Sequence, residues 1–372
     1  MATETLVAAR TDRPTHDDLR TRLRPVVDVV AERAAAVDAG ELDVRPSLLE
    51  LGAAGLLGLG LPVDAVPGQH PEGRGTLADQ ATVIRSLARE CTATAFSVWA
   101  HRTAVGYLAA WGSDELRRQL LPSLLTGERT AATAMATAFQ AALGLRELTV
   151  TARPDGAGGF HLDGVIPWAS NLFADGAAVV LPARTEDGRS LIVAITTDQP
   201  GVTLLPYPEL LALGTTASTT VKLAEVHVAP HAVLTDRFLD FLADVRPAFL
   251  LLQTALCFGL ADASLDAAAP RLTGTTEILA DDHQTLRTTT AQLDARFQHR
   301  LQAPAPADAD LVELRLRASD LAVAAARHEA AATGGAGYLA TSATARRLRE
   351  AAFLPIQSPT EAQLRWELSR SA

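Results

Sequence analysis

Sulfur is scarce in this 372-residue chain, with two cysteines and two methionines. Cys91 and Cys257 show no metal-ligand spacing and stand too isolated for a disulfide framework, so they read as buried thiols in a reducing compartment. Lysine is rarer still. Lys222 is the single one, and the other basic side chains are arginine, which excludes any mechanism needing a second lysine. Acids outnumber Lys plus Arg by 43 to 33, for a net charge of −10. The charge is mixed along the chain, and no basic stripe argues for nucleic acid. No apolar run approaches the ~18 residues of a bilayer span. The opening, MATETLVAARTDRPTHDD, lacks a charged start followed by an apolar core, so no secretory leader is expected and the location is expected to be cytoplasmic. There is no internal repeat and no glycine-rich phosphate loop. GGAGY (334–338) follows a helical stretch instead of opening one.

What the chain has is apolar mass and a change of texture. Hydrophobic residues make up 48%, enough for a large core. Residues 1–14 are polar and expected to be loose. From His16 to about Thr126 the apolar spacing is three and four, which predicts helices. One such segment ends on Gly40, and SDELRRQLLPSLL opens on Ser113 as an N-cap. From about Thr130 to Asp236 the pattern alternates. LTVTARPDGAGGFHLDGV and AAVVLPARTEDGRSLIVAITT each read as a hairpin, and TTVKLAEVHVAPHAVL as a further strand. Short strands at this spacing suggest a compact β-barrel or sandwich. From Phe238 onward the chain is helical again. DVRPAFLLLQTALCFGLADASLDAAAP is apolar nearly all round and is expected at the centre of a bundle, with APAPADA as a later interhelix turn. The expected division is 15–126 helical, 127–236 β, and 237–372 helical.

Five phrases in this order carry a resemblance: LLELGAAGLLGLGLP, AAWGSDELRRQLLPSLLTGERTAATAM, GGFHLDGVIPWASN, LGTTASTTVKLAEVHVAPHAVL and TGGAGYLATSATARRLREAAF. Together they resemble the acyl-CoA dehydrogenase superfamily over almost the whole chain. The resemblance implies an α+β fold with an N-terminal helical domain, a middle β-barrel domain and a C-terminal four-helix bundle. It also implies FAD in the cleft between them and a homodimer or homotetramer.

Residue by residue, the resemblance places Trp168 against the flavin ring system and Ser170 near its N5. A planar aromatic gives contact area with few rotors, and a hydroxyl can donate or accept. Taken alone, the same residues suit a core aromatic and a turn serine. Thr137, in ATAMATAF, is the nearest equivalent of a flavin-contacting loop residue, although a threonine in a strand is common. Gly334 and Gly335 match a pair that lets backbone approach the FAD pyrophosphate, or else form a helix C-cap. Thr360 matches the threonine within the family's catalytic segment and counts among the implied cofactor-binding residues. Other family positions are changed here. Ala331 stands where a Gln is usual, and Thr273 falls where an Arg is expected, with Arg271 two residues away. These changes imply weak FAD retention.

The largest departure concerns the base. These dehydrogenases abstract a proton with a Glu while hydride leaves for the flavin, and burial raises that carboxyl toward a usable pKa. In IQSPTEAQLRW (356–366) Ser358 takes the Glu position. Glu361 could substitute only if the loop shifts, and the alternative site near Phe249–Leu250 has no acid. A related branch of the fold, the two-component monooxygenases, uses reduced FAD or FMN from a partner reductase together with O2. It places a His from the N-terminal helices at the flavin. His101, in FSVWAHRTA, lies on the corresponding helix, but a helix histidine bonded to backbone is the more ordinary reading. Three functions stay open: a flavin dehydrogenase of an acyl thioester with an electron acceptor, a monooxygenase with a reductase, and a redox-inactive binding subunit. The catalytic candidates are His101, Ser170 and Ser358.

Overall fold

The structure, a computed structural model, describes residues 16–62, 65, 75–302 and 308–371. The expected loose start and most of the APAPADA turn lie outside the described residues. Helix α1 (His16–Asp38) buries Leu19, Leu23, Val26, Val30, Ala34 and Val37 along one stripe, the spacing of a helix with one core face. It stops before Gly40, whose φ of +76° is the left-handed turn expected of a glycine. Then come α2 (Arg45–Ala53), α3 (Leu77–Glu90) and α4 (Thr92–Trp111). A capping box starts α3, with the Thr76 and Asp79 side chains each bonding the other's backbone N–H. The chain breaks at extended Cys91 before α4, which is buried on nearly every face. Ser113 opens α5 (Asp114–Leu125), its hydroxyl accepting the Leu116 N–H at 3.1 Å. Both cysteines are free and buried, and burial pushes the Cys91 thiol up to about 11.

The middle zone holds β1 (Ala131–Thr133), α6 (Ala136–Ala142), β2 (Val150–Pro154), β3 (Phe160–Ala169), β4 (Ala178–Thr185), β5 (Ser190–Thr196), β6 (Val202–Leu204), β7 (Thr219–Val228) and β8 (Val233–Thr235). Both expected hairpins form, β2–β3 and β4–β5. The sheet order is β6-β7-β3-β2-β4-β5-β8, with β1 alongside β4. This is one open eight-stranded sheet and not the expected closed barrel: among the described residues β6 and β8 each pair on one side only. Alternation reveals strands but not their neighbours. Here β1 and β2 both lie parallel to β4, which adjacent hairpins would not produce.

The last zone holds α7 (Phe238–Ala268), α8 (Ala280–Gln302), α9 (Ala309–Thr333), α10 (Ala343–Phe353) and α11 (Glu361–Ser371). Helix α9 packs against α7, α8, α10 and α11. Contrary to the expectation of no span-length apolar segment, α7 is apolar and long enough to cross a bilayer, but 89% of its most apolar window is buried in the fold. It is the core helix. A Cβ at Gly259 of α7 would meet the Arg85 carbonyl oxygen of α3 at 2.4 Å. Glycine is therefore what lets α7 and α3 cross closely, joining the first helical zone to the last.

Candidate active site

A cavity of ≈ 450 Å³ opens where α4, α6, α7, α10 and the end of β3 converge. One wall is aromatic. Phe96 and Trp99 of α4 stack with ring centroids 5.5 Å apart, Trp99 meets Phe249 edge-on at 5.0 Å, and Phe96 meets Phe353 edge-on at 4.8 Å. All four rings line the cavity. The cavity is also lined by Trp168 and Ser170 at the end of β3 and by Thr137 at the start of α6. Trp168 is 55% exposed, so its ring is available to a ligand and is not the core aromatic of the alternative reading. Thr137 sits in a short helix and not in a strand.

Ser170 heads a chain of hydroxyls. Its Oγ lies 2.7 Å from the Ser218 Oγ, which lies 2.8 Å from the Thr216 Oγ1. The Thr216 hydroxyl also donates to the Leu213 carbonyl at 2.8 Å. A carbonyl can only accept. Once Thr216 gives its proton there, Ser218 donates to Thr216 and Ser170 donates to Ser218. The Ser170 oxygen is then left as an acceptor. Left-handed turns hold these side chains in place, with Leu213 at φ 61° and Ala217 at φ 45°. The hydroxyl-rich run LGTTASTT is the sequence signal for Thr216 and Ser218.

Asn171 fixes the strand end. It is fully buried with φ 64°. Its amide N–H groups donate to the Ser97 carbonyl at 2.8 Å and the Ala131 carbonyl at 3.0 Å, and its Oδ1 accepts from the Ser97 hydroxyl. Its backbone N–H donates to the Thr216 carbonyl at 2.8 Å. One side chain thus ties α4 and β1 to the strand carrying Trp168 and Ser170.

His101 does not reach the cavity. It is fully buried on the other side of α4, where Nδ1 accepts the Ala131 N–H at 3.1 Å and Nε2–H donates to the Leu124 carbonyl at 2.9 Å. Burial drives its pKa down to about 4. Both nitrogens are occupied and the ring is neutral, so it cannot act as the proton-handling residue of the monooxygenase branch. Gly334 and Gly335 lie in the turn after α9, with open space where a Cβ would stand, and do not line the cavity. Thr360 also lies outside it. Its Oγ1 accepts the Gln363 N–H at 3.3 Å at the start of α11. Glu361 pairs with Arg365 at 2.8 Å and stays outside as well, and neither Arg271 nor Thr273 lines the cavity.

Ser358 does line the cavity, beside Gln357. The Ser358 Oγ and the Gln357 Nε2 are both buried without a partner. The charged residues lining the cavity are Arg146 and Arg349. No carboxylate and no imidazole lines it among the described residues.

Residues 13–128 match the family description "Acyl-CoA dehydrogenase, N-terminal domain". Solved structures with the same fold include butyryl-CoA dehydrogenase from Megasphaera elsdenii, at 16% identity and TM-score 0.81 over 96% of this chain and 99% of that one. The chain has the acyl-CoA dehydrogenase superfamily fold. Two further structures share this superfamily fold. FkbI, of methoxymalonyl extender unit biosynthesis, is 21% identical with TM-score 0.78 over 94% of this chain and 98% of that one. Dibenzothiophene monooxygenase from Paenibacillus sp. A11-2 is 17% identical with TM-score 0.72 over 95% and 96%. No curated protein sequence matches the chain.

Proposed function

We propose that this chain is a flavin-dependent oxidoreductase that works without a side-chain base, taking reduced flavin from a partner reductase and using O2 on a largely apolar substrate. The observation that carries the reading is a cavity lined by an exposed aromatic ring and a hydroxyl, with no carboxylate or imidazole along its walls among the described residues. Such a lining suits a flavin. Trp168 would support the ring system, Ser170 would face its N5, and Thr137 would border it. When bound, flavin supplies reversible acceptance of a hydride and, in its reduced form, electrons for O2.

The protein's own contribution is to bind, orient and exclude water. The aromatic wall would exclude water from the part of the cavity that it lines, which strengthens polar contacts made there. The acceptor state of Ser170 suits a group bearing a hydrogen, as N5 of reduced flavin does, better than the bare N5 of oxidised flavin. Ser358, a neutral hydroxyl, is too weak a base to take a proton from carbon. These features favour oxygenation over the acyl-thioester dehydrogenation that the resemblance first implied. The dehydrogenase reading keeps one specific support: Ser358 does line the cavity, at the place where the resemblance puts the dehydrogenase base.

The test is an anaerobic titration of the chain with oxidised and with reduced flavin. Tighter binding of the reduced form, followed by substrate-independent reaction with O2, is the expected result. Tight oxidised flavin that is bleached by an acyl-CoA would return the protein to the dehydrogenases. Binding of neither form would make it a redox-inactive subunit.

A further inference from the structure

Between β6 and the turn Gly214–Thr216 runs the segment LPYPELLAL (205–213), which forms neither helix nor strand. Its two ends are fastened. At the start, the Leu205 N–H donates to the Thr220 carbonyl at 3.0 Å, and the Thr219 hydroxyl lies 3.0 Å from the Leu205 carbonyl oxygen and 3.2 Å from that of Pro206. Thr219 is the register partner of Ala169, so this end is clamped beside the strand end that carries Trp168 and Ser170. At the finish, Leu213 is buried, and its carbonyl accepts the Thr216 N–H at 3.2 Å and the Thr216 hydroxyl at 2.8 Å. Between these ends one side chain ties the segment down: the Tyr207 hydroxyl donates to the Leu172 carbonyl at 2.7 Å. Pro206 and Pro208 have no N–H to give, and no backbone N–H from 207 to 212 donates to a backbone carbonyl among the described residues.

Leu210, Leu211, Ala212 and Leu213 all line the cavity, yet Leu211 is 71% exposed. Two further exposed apolar side chains line the same cavity, Trp168 and Ile356. A large apolar side chain that stands in water at a cavity is stabilised when its segment folds inward over an apolar occupant. We propose that residues 208–212 are a strap that closes over the occupied cavity, with Leu211 as its plug. The fastened ends stay in place while the five residues between them move. Proline holds Leu205 and Tyr207 to extended backbone, and Tyr207 binds the near end to Leu172, two residues past Ser170. Closure would exclude water during the reaction with O2 and slow the release of substrate, which makes Leu211 a gating and specificity-determining residue. Only that role in the O2 reaction rests on the flavin reading above; closure on an apolar occupant needs no flavin.

The probe is N-phenyl-1-naphthylamine, a neutral apolar dye that brightens on leaving water, added to the flavin-free full chain. Amide hydrogen exchange is read with and without it. In the free chain the amides of 209–212 are expected to exchange at close to the rate of an unstructured peptide, while β7 is protected. Saturation with the dye should slow those four amides by roughly tenfold or more. Leu211→Ser should raise the dissociation rate of the dye roughly three- to tenfold and leave its association rate within about twofold of native. Leu211→Met keeps the apolar bulk and should restore slow release. A side chain this exposed can be exchanged at little cost to folding, and the exchange measurement on the native chain needs no variant. Tyr207→Phe removes the tie to Leu172 and should lessen the slowing. The strap is overturned if 209–212 are as protected as β7 in the free chain, if the dye does not bind saturably, if saturation leaves their exchange unchanged, or if Leu211→Ser releases the dye at the native rate. A chain that closes on the dye but binds neither oxidised nor reduced FAD keeps the strap and loses the flavin reading. A chain that binds flavin while 209–212 still exchange freely under the dye does the reverse.

Discussion

His101 makes a sharp prediction about acid stability. Its ring is buried and neutral, with a folded pKa of about 4 against an ordinary value of 6.5. Below pH 6.5 the unfolded chain takes up a proton at this residue and the folded chain does not. Wherever the unfolded state binds more protons, stability rises with pH. The contribution of neutral His101 is therefore complete above pH 6.5 and is lost as the pH falls toward 4. The loss approaches about 1.4 kcal/mol per pH unit within that window, and about 3 kcal/mol in all. His101→Gln keeps an amide donor for the Leu124 carbonyl but cannot titrate. At pH 7.5 it should cost about 1–3 kcal/mol, because the Ala131 N–H loses its acceptor in a buried place. The assay is urea unfolding of both chains between pH 7.5 and 4.5. The gap between them should be constant above pH 6.5 and shrink below it, and taking the difference cancels other titrating groups. A gap that stays flat down to pH 4.5 would refute the buried, neutral assignment. So would a native ring that titrates near its ordinary pKa by NMR.

Asn171→Ala should cost about 2–4 kcal/mol in chemical denaturation, since it removes three buried side-chain bonds and leaves a Cβ-bearing residue in the left-handed region. Trp168→Ala should weaken flavin about 3–10-fold by fluorescence titration. It should leave thermal stability within a degree or two, because the ring is half exposed. Ser218→Ala frees the Ser170 proton to be donated into the cavity. The ratio of reduced to oxidised flavin affinity should fall roughly 2–10-fold, and an unchanged ratio would count against the directed hydroxyl chain. Ser358→Glu puts a carboxyl in an apolar cavity where desolvation raises its pKa, and anaerobic bleaching of bound flavin by an acyl-CoA is the expected gain.

Local physics made much of the fold legible. The buried stripe of α1, the Ser113 cap and the two hairpins follow from residues within a few positions of one another. So does the strand that carries Trp168. The open order of the sheet was not legible, because β1 and β2 pair with β4 across dozens of residues and no local pattern encodes a parallel neighbour. Trp168, Ser170, Thr137 and Ser358 do come together around one cavity. His101 belongs to a helix whose other face lines that cavity, and in a helix buried all round, spacing cannot say which face meets which neighbour. Position 358 stood out because an expected acid was missing.

The cavity takes its walls from residues as far apart in the chain as Phe96 and Ser358. No partly unfolded form that frees either terminal zone retains it. Occupancy is thus coupled by mass action to the melting of the whole chain, with about 2.7 kcal/mol gained when a ligand is present at a hundred times its Kd. A thermal-shift screen of flavins and apolar ring compounds would report binding to the folded chain, and would rank candidates before any reaction has been observed.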